Sequence, residues 1–175
     1  MSRDPGKSFI VDASVLIDYC QSDLSIFSKL SQHVGIVHIA RSTFDKVEEL
    51  TETEAGKHHL VIDTPDIDTL IEASAKRGKL AYDDRETMLL AKKNGWTCIT
   101  NDKALREECR VEGVACLWGL EPMKLLVGYA MISGSAAVAV ARKIRATNGL
   151  FITSAIVGRF ERQIEEIEAK RRGGN

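Results

Sequence analysis

The sequence predicts a three-layer α/β/α domain on a central parallel sheet of about five short strands, followed by a helical C-terminal extension. The β-prone runs are short and continuously apolar, as in strands buried on both faces. Helical stripes separate them, and this strand–helix alternation predicts parallel strands joined by crossover helices. Beyond Gly119 the apolar spacing is helical only.

The first run, Phe9-Ile10-Val11, closes at Asp12. Ser14 is the expected N-cap of a helix carrying Val15, Leu16, Tyr19 and Cys20 on its apolar face. A second helix is expected over 23–33, with Leu24, Phe27 and Leu30 in one stripe, and Gly35 breaks it before Ile36-Val37-His38-Ile39. Ser42 caps an expected helix through Phe44, Val47 and Leu50, whereas 51–59 is polar and reads as a loop or a frayed helix end. Leu60-Val61-Ile62 is the third strand. Pro65 then opens a helix with Ile67, Leu70, Ile71 and Ala75 at helical spacing, and Gly78 ends it.

The stretch 79–106 organises the rest. It holds an acidic turn (Asp83-Asp84), a helix that buries Met88, Leu89 and Ala91, and a break at Asn94-Gly95. A strand over Thr97-Cys98-Ile99-Thr100 follows and ends in Asn101-Asp102. A helix over 103–112 and a last strand, Val114-Ala115-Cys116-Leu117, complete the alternation; Trp96 and Trp118, beside strands, read as core. Helices are expected over 122–131, 133–147 and 153–170, with Lys170-Arg171-Arg172 frayed. The division is an α/β domain over 8–120 and C-terminal helices over 121–170, packed on that domain or forming a partner interface. Their apolar surplus suits a homodimer face or a groove for a partner helix.

A chain of 175 residues is one ordinary domain, and its 44% apolar and 28% charged residues are globular values. Net charge is −1, so there is no global positive field and polyanion binding depends on a local patch. Four cysteines without CxxC spacing read as reduced, mostly buried thiols, which suits a cytoplasmic protein. The polar start predicts no signal peptide. The apolar stretch 125–141 is interrupted by Gly and Ser and reaches Arg142-Lys143, so no membrane span is expected.

In a parallel α/β sheet, ligands bind beyond the carboxyl ends of the strands. Asp12 and Asp102 each follow a strand and Asp84 opens a helix, so three carboxylates are expected at one rim. Clustered carboxylates repel, and a hard divalent cation, Mg²⁺ or Mn²⁺, is the partner that neutralises them. Asp84 and Asp102 each also fit a plain helix cap. No His or Cys set has zinc-like spacing, and His58-His59 reads as solvated.

The opening Ile10-Val11-Asp12-Ala13-Ser14-Val15-Leu16-Ile17 resembles that of the PIN-domain ribonucleases, and among them the VapC-type toxins of toxin–antitoxin pairs. So do Leu80-Ala81-Tyr82-Asp83-Asp84 leading into Met88-Leu89-Leu90-Ala91, and Ile99-Thr100-Asn101-Asp102-Lys103-Ala104-Leu105-Arg106. The resemblance covers Ser8 to about Leu126. It implies a PIN-like fold and a Mg²⁺- or Mn²⁺-dependent endoribonuclease acting on RNA in the cytoplasm, with an antitoxin protein as partner. Asp12, Asp84 and Asp102 would bind metal, with Ser14 and Thr100 holding the ligands and the attacking water; Asp83 competes with Asp84. Lys46, Arg85, Lys103 and Arg106 flank the acids and are candidate RNA contacts. The chain departs from the family at its second acid, which falls on Lys46. Glu49, one helical turn further, is the first substitute and Asp45 the second. The alternative is a non-catalytic PIN-like module that binds RNA or protein through a degenerate acidic site.

Overall fold

In a computed structural model describing residues 7–75 and 78–173, five parallel strands form one sheet in the order β3-β2-β1-β4-β5. They are β1 (Ser8–Val11), β2 (Ile36–Ala40), β3 (Leu60–Asp63), β4 (Thr97–Ile99) and β5 (Cys116–Leu117). Residues 1–6, where no signal peptide is expected, lie outside the described residues. Connections leave β1 first toward β2 and β3, then cross back to β4 and β5, so the order reverses at β1. Such a reversal opens a crevice at the strand ends. Val11 pairs with Ile99, and the Asp12 N–H continues the ladder to the Ile99 carbonyl at 3.1 Å, placing Asp12 at that crevice.

Side chains alternate across the sheet. Phe9, Val11, Val37 and Ile39 face one core, closed by α1 (Ala13–Ser22), α2 (Ser25–His33), α8 (Glu121–Gly128), α9 (Gly134–Thr147) and α10 (Ser154–Gly173). Ile10, Ala40 and Cys98 face the other, closed by α5 (Ile67–Ser74), α6 (Tyr82–Asn94) and α7 (Lys103–Val111). Two short helices, α3 (Arg41–Phe44) and α4 (Glu52–Lys57), lie between β2 and β3. This is the expected three-layer α/β/α arrangement. Among the described residues no helix is long and apolar enough to cross a membrane.

Several elements differ from expectation for identifiable reasons. Asp12, not Ser14, caps α1: its Oδ1 accepts the Val15 N–H at 2.8 Å. The helix expected through Leu50 ends at Phe44, where Lys46 and Val47 bond three residues back to the Thr43 and Phe44 carbonyls. Val47 and Leu50 reach the core from turns instead. The expected loop or frayed end over 51–59 contains α4, because Thr51 and Glu54 have capping-box spacing and Thr51 Oγ1 accepts the Glu54 N–H at 3.2 Å. α5 opens just after Pro65 with Asp66 as its cap, but Ile67 and Ile71 stand 73% and 64% exposed instead of forming a buried stripe. α10 runs to Gly173 without fraying at 170–172, and the Arg171 guanidinium donates to the Val127 carbonyl at 2.8 Å. Trp96 is partly buried and stacks on His38, but Trp118 is 48% exposed with the Arg106 guanidinium 3.7 Å from its ring centre.

Candidate metal centre

Asp12 is held by both of its oxygens. Oδ1 accepts the Val15 N–H and the Ser14 hydroxyl at 2.8 and 3.1 Å, and Oδ2 accepts the Thr100 hydroxyl. Thr100 Oγ1 in turn accepts the Asp102 N–H at 2.9 Å, so the end of β4 is laced to the end of β1. Asp102 caps α7 through Oδ1, which accepts the Leu105 N–H at 2.7 Å. Asp84 lies half-buried in the first turn of α6. Asp84 and Asp102 thus stand at helix N-termini and Asp12 caps a third. There the backbone N–H groups favour negative charge.

The electrostatics tie these acids together. Burial of Asp12, only 2% exposed, pushes its carboxyl up to about 6, with a further contribution from the charge of Asp84, against hydrogen bonds from Thr100, Val15 and Ser14. Asp84 is also pushed up to about 6, first by burial and then by Asp83 and Asp102. Asp84 therefore lies within electrostatic reach of both other members of the predicted triad. The donor atoms that Asp12, Asp84 and Asp102 bring are carboxylate oxygens, a set whose chemistry fits hard Mg²⁺ or Mn²⁺, although among the described residues these three are not gathered as tightly as the sulfurs of Cys98, Cys109 and Cys116.

The structure also separates Asp83 from Asp84. Asp83, 6% exposed, makes an ion pair with the Lys46 ammonium, whereas Asp84 has no ion-pair partner among the described residues. Lys46 thus brings a built-in positive charge to the rim, and that charge opposes the upward shift of Asp84.

The proposed replacement acids are not drawn to the rim. Glu49 accepts from Gln21 Nε2 at 2.9 Å, and Gln21 lies nine residues along from Asp12, roughly 13 Å of helix. The helical-turn argument for Glu49 fails with the helix itself, which stops five residues earlier at Phe44. Asp45 is exposed, 3.8 Å from the Arg41 guanidinium. Among the candidate RNA contacts, Arg85 is spent on the carbonyls of Ala73 and Leu80, and Arg106 donates to the Thr100 carbonyl at 3.3 Å while covering Trp118. Lys103 is exposed beside Asp102.

Sequence reasoning missed Glu86, which is fully buried and accepts the Ser42 N–H at 3.3 Å where β2 gives way to α3. Its signal was positional: it stands three residues after Asp83 and three before Leu89, on the inward face of α6.

No family model matches the chain, and no curated protein matches its sequence. Among solved structures, it is similar to a PilT N-terminus domain protein from the hyperthermophilic archaeon Sulfolobus solfataricus P2. The TM-score is 0.52 at 14% identity, over 67% of this chain and 91% of that one. The chain therefore has a PIN-like fold.

Proposed function

We propose that the chain is a Mg²⁺- or Mn²⁺-dependent endoribonuclease that hydrolyses RNA phosphodiester bonds at the rim of Asp12, Asp84 and Asp102. The carrying observation is the buried acidic rim, where burial first and neighbouring carboxylates second push Asp12 and Asp84 each up to about 6, a state a divalent cation relieves. The PIN-like fold and the motifs around the three aspartates support the same reaction class.

When bound, the cation supplies Lewis-acid charge for the scissile phosphate and acidifies water. The protein's part is positioning. Thr100, Ser14 and the Val15 N–H fix Asp12 in one orientation, and the Leu105 N–H fixes Asp102. Asp84, the least committed of the three, orients the attacking water and takes its proton. Lys103 contacts RNA phosphates beside the rim. By the family resemblance the products carry a 3′-hydroxyl and a 5′-phosphate. In this reading the chain is the cytoplasmic toxin of a toxin–antitoxin pair. Exposed Leu150, Phe151 and Ile156 are the apolar surface for an antitoxin protein or a second copy.

RNA cleavage with Mg²⁺ or Mn²⁺ tests the reaction. Asp12→Asn and Asp84→Asn are expected to lose at least about 100-fold in rate with the fold intact; full retention in both sinks the assignment. The Lys46–Asp83 pair favours a second reading, a non-catalytic RNA- or protein-binding module. Cleavage by Lys46→Glu where the parent has none would support that alternative.

A further inference from the structure

Cys98, Cys109 and Cys116 lack any sequence spacing that suggests a site, yet the fold gathers them. The parallel register sets Cys98 of β4 directly beside Cys116 of β5, so their side chains share a face. α7 packs over that face and contributes Cys109, and the three sulfurs lie within 4.8 Å of one another. In trigonal or tetrahedral thiolate sites with metal–sulfur bonds of roughly 2.3 Å, sulfurs stand roughly 3.8–4.0 Å apart. Closing this cluster around an ion thus takes side-chain shifts of an ångström or less, on the order of what rotamers absorb.

We infer that Cys98, Cys109 and Cys116 form a thiolate site for a single soft or borderline d¹⁰ cation such as Zn²⁺ or Cu⁺. The fourth cysteine, Cys20, lies outside the cluster. Cys98 and Cys109 are buried, while Cys116 opens onto a groove of about 600 Å³ flanked by Lys103, Arg106, Arg110 and Trp118. That groove gives an ion its entry and leaves room for water as a fourth ligand. Thiolate is the ligand form, so loading the site releases thiol protons. This centre is chemically distinct from the acidic rim and does not depend on the nuclease reading. It ties together β4, α7 and β5, and α7 is the helix that Asp102 caps.

The test is titration of the reduced full-length protein with Cd²⁺, followed by its sulfur-to-metal charge-transfer absorption. One equivalent should saturate the band and Zn²⁺ should compete it away, with Tm rising by about 5–10 °C at a hundredfold excess of Zn²⁺ over Kd. Cys109→Ser and Cys116→Ser should lose the band, and Cys20→Ser and Asp84→Asn should keep it. Absence of the band in the parent, or its survival in Cys109→Ser, overturns the proposal. Should a serine variant fail to fold, X-ray absorption of the zinc-loaded parent decides: three sulfur neighbours support the site, and an oxygen-and-nitrogen shell overturns it.

Discussion

Thr100 and Asp12 stand 88 residues apart in the sequence and share one hydrogen bond in the fold, from the threonine hydroxyl to Asp12 Oδ2. The same hydroxyl oxygen accepts the Asp102 N–H, so one side chain aligns two acids. Thr100→Val keeps the shape and removes both bonds. Leaving a buried carboxylate and N–H short of a partner costs about 1–3 kcal/mol. Denaturant melts should show that loss, and the pH midpoint of Mn²⁺ binding should move upward as Asp12 becomes harder to ionise.

The raised acids also set a pH dependence. Asp12 and Asp84 ionise near pH 6 in the fold, against 3.8 ordinarily. Between those values the folded chain holds protons that the unfolded chain has released, so stability falls as pH rises through the window. For Asp12 the loss is on the order of 2–3 kcal/mol, and half-exposed Asp84 adds less. Metal-free protein should therefore melt lower at pH 7 than at pH 4.5. Asp12→Asn should flatten the slope, and saturating Mg²⁺ should restore the stability lost.

Lys46 neutralises Asp83 at the price of placing a cation among acids. Lys46→Met strands a buried carboxylate and should cost about 1–2 kcal/mol at pH 7, discounted for the half-exposed lysine. Adding Asp83→Asn should recover most of it. A double-mutant cycle by chemical denaturation reads the coupling, and additive effects would deny the pair.

Arg85 and Lys103 should separate structure from binding. Arg85→Ala frees two carbonyls at Ala73 and Leu80 and should lower Tm by several degrees, roughly 2–4 °C per kcal/mol, without altering RNA affinity. Lys103→Ala should leave Tm unchanged and weaken RNA binding with a shallower salt dependence. Melting curves and filter binding at two salt concentrations distinguish the outcomes.

Gly119 is a steric requirement for the neighbouring Asn101. A Cβ there would sit 2.6 Å from Asn101 Nδ2, while the Gly119 N–H donates to Asn101 Oδ1 at 2.8 Å. Gly119→Ala should cost about 1–3 kcal/mol by overpacking. Gly119→Ala combined with Asn101→Ala should cost less than the sum of the two single changes, as denaturant melts will show.

The layers and all five strands were legible because short apolar runs between helical stripes leave few alternatives. The places of the three aspartates in the fold were legible for the same reason, since each stands where a strand or helix begins or ends. What escaped depended on tertiary contacts. The chain through Lys46 looked helical, yet its hydrogen bonds tighten to three-residue turns, and the inference about Glu49 fell with the helix. The gathering of Cys98, Cys109 and Cys116 is set by the β4–β5 register and the seating of α7, which residue spacing does not encode. Ile67 and Ile71 obeyed helical periodicity and still face outward, because α5 packs chiefly on α6 and turns Thr69 and Ala73 inward instead.

The strand order also sets a schedule for synthesis. β1 leaves the ribosome first, yet its central neighbour β4 arrives only with Thr97. Until then a nascent chain carries Asp12 with no Thr100 to meet it, and pairing across such a span is slow to close. The chain must be translated through Asp102 before the acidic edge exists, so no fragment ending earlier can acquire it.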